Sequence, residues 1–376
     1  MESVSKNPGV EASPGLVSWL TRHRASLVCS SYQTGRLLFI GSRRGGAASY
    51  SRAQFSGAMG LAAFSQRLYV AGRTAIWRLE NTLKPDEVID GRFDRLFVPR
   101  NAQITGNIGV HEIGVEPSGR IIFVNTRYSC LATVSLTHAF RPVWKPAFVS
   151  RLAPEDRCHL NGLAMDGERV RYVTACSTTD IVDGWREHRA GGGVLIDVAS
   201  DRVVAEGLSM PHSPRVQGGF VWLLDSGSGQ LCRIDPQTGR RENIAFCPGF
   251  LRGLAFVGNY AVVTLSLPRH GRFQGLALGD ELTRRQAAAW CGIMVIDTRH
   301  GDVVEWVRLD SEAELFDVAA IPSARCPMAI APDSSDLQDA ITFEDLATAK
   351  KTIRNEAGKA ASALATVGAN RSTGDG

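Results

Sequence analysis

Apolar residues along the chain fall in short runs: RLLFIGS, RLYVAGR, RIIFVNT, RVRYVTAC, FVWLLDS, YAVVTLS and GIMVIDT, most of them closed by glycine or a small polar residue. Runs of this length, rich in β-branched and aromatic residues and bounded by turn formers, predict strands. No long stretch carries the 3.6-residue spacing of an amphipathic helix. The one helical candidate is 280–289 (DELTRRQAAA), a single helix inside a long loop. Residues 1–24 read as a flexible leader. From Asp333 onward the chain turns polar and rich in Ala, Lys and Glu, which predicts a tail over 333–376, partly helical or disordered.

The runs repeat as a unit: a short apolar stretch, a turn, then a hydrophobic strand ending in a small polar residue. The first-strand anchors are Gly60, Gly114, Gly162, Arg215 and Gly253, and a sixth copy opens at Asp317 without its following strands. Those strands are found at the other end, where 25–42 (ASLVCSSYQTGRLLFIGS) matches the second and third strands of a unit. A chain that starts mid-unit and finishes with that unit's first strand closes a ring and removes open edges. Six units over about 300 residues give roughly 50 residues each, the size of a four-stranded blade. The expected fold is all-β: a six-bladed β-propeller of four-stranded antiparallel blades over 25–332, closed by N-terminal strands pairing with the C-terminal one.

Three residues before the successive anchors stand Gly57, His111, His159, His212, Phe250 and Glu314. First strands line the central channel of a propeller, so these positions lie at its mouth. Three imidazoles and a carboxylate on one ring suit a divalent transition metal, Fe, Mn, Zn or Cu, with His111, His159 and His212 as ligands and Glu314 as fourth ligand or general base. Two other readings of the same residues are a histidine-lined anion site without metal and plain hydrogen bonding around the channel. Loops joining second and third strands emerge on the same face, at 125–129, 177–189, 225–229 and the insertion 268–289. They bring Arg127, Asp225 and Arg269 near the mouth, together with Arg215 and Arg252, and guanidinium groups there would clamp a carboxylate, sulfate or phosphate. Asn161, two residues after His159, would hold a neighbouring imidazole or a ligand. Cys158 is a soft donor beside His159, although strand alternation turns it the other way. Trp185, in a face loop, would stack on a ligand.

The chain has 376 residues, 42 basic against 38 acidic side chains and a formal charge of +4. So small and scattered an excess argues against a nucleic-acid partner. Neither a signal peptide nor a membrane span is legible. The eight cysteines form no CxxC pair and fit buried thiols in a reducing compartment, so a cytoplasmic location is expected. There is no G-x-S-x-G elbow and no P-loop. Two function classes follow: a metal-dependent enzyme acting on a small anionic substrate, or a non-catalytic ligand- or protein-binding scaffold that recruits a protein through the long loop or the tail.

The segments VHEIGV, NTRYSCLA, CHLNGLAM, GLSMPHSPR, VWLLDSGSGQL and CPGFLRGLAFVGNYAVVTLS resemble an uncharacterised bacterial family of conserved hypothetical proteins, over about Trp19 to Pro332. The resemblance implies the six-bladed propeller and no established activity. More distantly the blade pattern is similar to propellers with NHL repeats, gluconolactonases and strictosidine-synthase-like proteins, whose sites lie at the channel mouth. Gluconolactonase-type sites use mainly carboxylate and amide oxygens. Three histidines in their place argue against carrying that chemistry over.

Overall fold

The computed structural model of the protein describes residues 9–269 and 271–348, which form six sheets around a central axis. Blade 1 pairs Val318–Pro322 with Ala25–Ser31, followed outward by Arg36–Ser42 and Ala48–Gln54. Blade 2 runs from Leu61–Phe64 to Arg95–Ile104, blade 3 from Val110–Val115 to Arg141–Trp144, and blade 4 from Leu160–Asp166 to Arg202–Leu208. Blade 5 runs from Pro211–Gln217 to Arg241–Phe246, and blade 6 from Phe250–Val257 to Val303–Leu309. Every blade is antiparallel through its four strands, and the expected ring closure is present: Ala25 to Cys29 pair with Pro322 to Val318.

The continuous apolar runs follow from burial on both faces of each blade. In Phe220–Asp225, Val221 and Leu223 pack towards blade 4, while Trp222 and Leu224 pack towards blade 6. One apolar cluster fills each of the six seams between neighbouring blades. Neighbouring inner strands share no ladder, and apart from isolated backbone bonds such as Gly60 N–H to the Val110 carbonyl, side chains bridge them. Thr126 Oγ1 donates to the Leu160 carbonyl at 2.6 Å, Ser213 Oγ to the Arg252 carbonyl at 2.7 Å, and the Leu61 N–H to Asp317 at 2.7 Å. The anchor glycines permit this approach. A Cβ on Gly253 would stand 2.6 Å from the backbone nitrogen of Val318, and one on Gly162 would stand 2.4 Å from Pro214 Cδ.

The leader departs from expectation. Val10–Ala12 adds a fifth strand to the outer edge of blade 6, and Leu16–His23 is an α-helix. Leu16, Trp19 and Leu20 occupy one helical face and bury against Leu27 and Leu38 of blade 1 and Ile293 and Val307 of blade 6. The helix therefore covers the seam where the ring closes. Residues 1–8 lie outside the described part. On the other side of blade 1, Pro327–Ala329 pairs in parallel with Arg95–Phe97 at the outer edge of blade 2. Replacing Leu20, 1% exposed, by alanine should cost roughly 2–5 kcal/mol and lower the urea midpoint with an unchanged m-value. A midpoint equal to that of the wild type would mean the helix does not hold the seam.

The helix expected at 280–289 is found three residues earlier, at Ala277–Arg284, because Leu278 and Leu282 are the positions that bury, against Phe250 and Phe273. Gln286, at φ 53°, turns the chain out of the helix before QAAA can continue it. The compact unit ends at Ser334. In the following unit, 335–348 is described and holds a 3-10 turn at Ser335–Leu337. The rest of the expected tail, 349–376, lies outside the described residues. No helix among the described residues is long and apolar enough to cross a membrane. All eight cysteines are free and buried.

Candidate functional site

His111, His159 and His212 converge at the mouth of the channel, as their common register predicts. The His111 and His159 rings lie 5.0 Å apart, edge to face. His212 is near enough for its charge to bear on His111, as that of His159 bears on His212. In each ring Nδ1 faces a fixed acceptor: the Gly109 carbonyl at 3.1 Å and Thr126 Oγ1 at 2.7 Å for His111, the Asp156 carboxylate at 2.9 Å for His159, and the Met210 carbonyl at 2.8 Å for His212. A carbonyl only accepts, and Thr126 has given its proton to Leu160, so Nδ1 carries hydrogen in the neutral rings and Nε2 is left as the reactive edge.

Arg252 stands among them. Its guanidinium lies over the rings of Phe250 and Phe316, 5.1 and 5.0 Å from their centroids, and its side chain is 12% exposed. Nε is buried without a hydrogen bond, 3.8 Å from Glu314 Oε1. Burial pulls its pKa down to about 10, partly offset by Glu314, so it remains a cation at neutral pH. Burial likewise holds His111 and His212 well below the ordinary imidazole value, with His159 adding to the effect on the first and Arg252 on the second.

The other expected site residues divide. Arg269, on the long insertion, grips Glu314 with two hydrogen bonds, Nε to Oε2 at 3.1 Å and Nη2 to Oε1 at 3.0 Å. Glu314 is thus shared as counter-ion by two arginines, where it was expected as a fourth ligand or general base. Asn161 is held inside blade 4, accepting from Thr174 Oγ1 at 2.8 Å. Asp225 pairs with Arg241 at 2.8 Å and accepts the Ser209 N–H at 2.6 Å. Arg215 lies deeper in the channel, against Glu112. Arg127 is an exposed rim residue donating to the Asn107 carbonyl at 3.2 Å. Cys158 points into the seam between blades 3 and 4, where burial pushes its thiol up to about 12. Trp185 stacks on His159 at 4.1 Å and donates to Asp156 at 3.0 Å, which occupies the ring face expected to meet a ligand. Sequence reasoning missed the Nδ1 anchors Thr126 and Asp156, and Phe316. Asp156, three residues ahead of His159, was the one with a local signal.

The donor set does not fit a divalent metal. Arg252 and Arg269 share Glu314, and the other carboxylate, Asp156, is taken up by His159 and Trp185, so neither acid is left unpartnered to ligate a metal, and the Arg252 guanidinium beside the imidazoles disfavours a further cation. Among the described residues no group of three His, Cys, Asp or Glu side chains is arranged to hold a metal ion.

The depressed histidines carry a consequence for stability. Unfolded, they take up protons near pH 6.5, whereas folded His111 and His212 resist doing so. Their contribution is therefore complete above about pH 6.5 and is lost as the pH falls below it. A His111→Gln/His212→Gln variant should lose less of its urea midpoint between pH 7 and 5 than the wild type does. Equal losses would contradict this.

Compared with known proteins, the chain finds no match among curated proteins. Among solved structures it is similar to a chain from the crystal structure of a nidogen/laminin complex, with a TM-score of 0.51 and 12% identity, covering 80% of this chain and 99% of that one. At that identity the likeness concerns the fold alone. Over residues 14–330 the sequence matches the model of a domain of unknown function, DUF4915, and the chain belongs to that family.

Proposed function

We propose that the protein is a non-catalytic propeller scaffold that binds a small oxyanion at its channel mouth, with Arg252 as anchor and the Nε2 edges of His111, His159 and His212 around it. The observation that carries the reading is a buried, under-bonded guanidinium set among three imidazoles whose Nδ1 atoms are all committed. Such a guanidinium has spare donors for a carboxylate, sulfate or phosphate. An anion held there would favour protonated imidazoles, so each Nε2 becomes a further donor as the ligand arrives. Binding then takes up protons and tightens as the pH falls.

Calorimetric titration of full-length protein with phosphate and sulfate tests this. The expected result is saturable one-to-one binding, stronger at pH 6 than at pH 8, in protein purified without a histidine tag and holding less than stoichiometric transition metal. Stoichiometric metal lost on replacing the histidines, or affinity that does not change with pH, would refute it.

A further inference from the structure

Deeper in the channel lies a second belt of charge. Glu112 follows His111 by one residue, Arg215 follows His212 by three, and Asp317 follows Glu314 by three, so blades 3, 5 and 1 each contribute one member. The two acids are sealed into the protein, each 2% exposed. Glu112 accepts the Leu163 N–H at 3.2 Å, and Asp317 accepts the N–H groups of Leu61 and Val318, both at 2.7 Å. Arg215 commits Nη1 to Glu112 and to the Pro214 carbonyl at 2.8 Å. Its Nε and Nη2 have no hydrogen bond among the described residues, and its side chain is 26% exposed.

Beyond this belt, on the side away from the histidines, the channel opens into a cavity of about 410 Å³. The later halves of the inner strands form its wall, with Leu61, Ile113, Leu163, Met165 and Phe256 among them, and Arg215 is the one charged member of that wall among the described residues. The volume falls within the roughly 300–1,000 Å³ of small-molecule sites, which are likewise mostly apolar with a few placed polar groups.

We infer that this half-channel binds a small amphipathic monocarboxylate, its head on the free Nε and Nη2 edge of Arg215 and its apolar part against the wall. The choice of a carboxylate over an ammonium rests on access. A ligand in the cavity meets the partly exposed guanidinium, while Glu112 and Asp317 are sealed: both Asp317 oxygens and Glu112 Oε2 are turned to backbone N–H groups, and Glu112 Oε1 is turned to Arg215 itself. The site is separate from the oxyanion site at the other mouth and does not depend on it.

The belt also sets a pH dependence. Burial raises the pKa values of both carboxyls, and Arg215 draws both back. Glu112, Asp317 and Arg215 are the ionisable groups at the cavity floor. With both acids ionised the belt carries a net negative charge that opposes a carboxylate; with one protonated it is neutral. The folded belt therefore holds a proton at lower pH, a bound carboxylate strengthens that hold, and affinity falls as the pH rises.

Calorimetry on the full chain with hexanoate and with hexylammonium, at pH 6 and pH 8, tests the inference. Hexanoate should bind at least about tenfold more tightly at pH 6 than at pH 8, hexylammonium should not bind, and saturating phosphate should not displace hexanoate. Arg215→Gln should weaken hexanoate about tenfold or more. Because that substitution strips two buried acids of their counter-ion and threatens folding, Glu112→Gln provides the second arm: at pH 8 it should bind hexanoate as tightly as the wild type does at pH 6. The inference is overturned by absence of hexanoate binding, by preference for hexylammonium, by displacement with phosphate, or by a Glu112→Gln variant that keeps the wild-type pH dependence.

Discussion

A chain ended after Asp317 should show no cooperative unfolding transition, whereas one ended after Ser334 should keep the full-length midpoint. The shorter chain lacks Val318–Pro322, the inner strand of blade 1, and exposes the backbone groups of Ala25 to Cys29 that pair with it. It also loses the buried side chains of Val318, Ile321, Ala324 and Cys326, which fill both seams of that blade or cover its edge. Val318 and Ile321 alone represent roughly 1.5–3 kcal/mol each, and the unpaired inner edge adds to that. Set against a total stability of about 5–15 kcal/mol for a typical domain, the sum removes the fold. Every strand of the ring lies before Ser334, so a cut there leaves the ring intact. Differential scanning calorimetry of the two truncations decides the matter. A sharp transition in the shorter chain would mean that the ring does not depend on its closing strand.

Arg252→Met should weaken oxyanion binding on the order of 100-fold without destabilising the protein. Arg252 is a buried cation with an unsatisfied Nε and a counter-ion 3.8 Å away that is already gripped by Arg269. Replacing a desolvated, poorly bonded charge by an apolar side chain of similar length is often neutral or stabilising. Methionine retains contact with Phe250 and Phe316 through its polarisable thioether. The expected unfolding midpoint is equal to or above that of the wild type. Phosphate affinity should fall on the order of 100-fold, roughly 3 kcal/mol, as two charge-assisted hydrogen bonds are lost. A gain in stability together with loss of binding marks a residue retained for a ligand. A destabilised variant with normal phosphate affinity would instead make Arg252 a structural prop.

Much of the fold was legible because a propeller writes its geometry into the chain repeatedly. Runs such as FVWLLD and YAVVTLS are apolar at consecutive positions because both faces of a blade are buried, and the anchor glycines mark where inner strands approach. The circular closure was readable because Asp317 onward and 25–42 are two halves of one repeat. The leader was misjudged because Leu16, Trp19 and Leu20 make only one short apolar face, and its meaning depends on two blades that meet there from opposite ends of the sequence. Register alone located the three histidines, and it placed Arg252 correctly at their face. It gave no information about neutralisation. Glu314 is claimed by Arg269, which sits on an insertion outside the repeat, and Asp225 is claimed by Arg241 on an outer strand. Partnerships across blades are not periodic, so the reading that found the ring of imidazoles carried no information on which charges are paired beside them.

The central claim is that the channel mouth holds an anion. It is tested most directly by anomalous diffraction from crystals soaked in selenate, with a fluorescence scan across the transition-metal edges of the same crystals. The account predicts a selenium peak within hydrogen-bond distance of the Arg252 guanidinium and facing the Nε2 atoms of His111, His159 and His212, with no metal signal there. A metal peak coordinated by those Nε2 atoms, or selenate bound only elsewhere on the molecule, would contradict it.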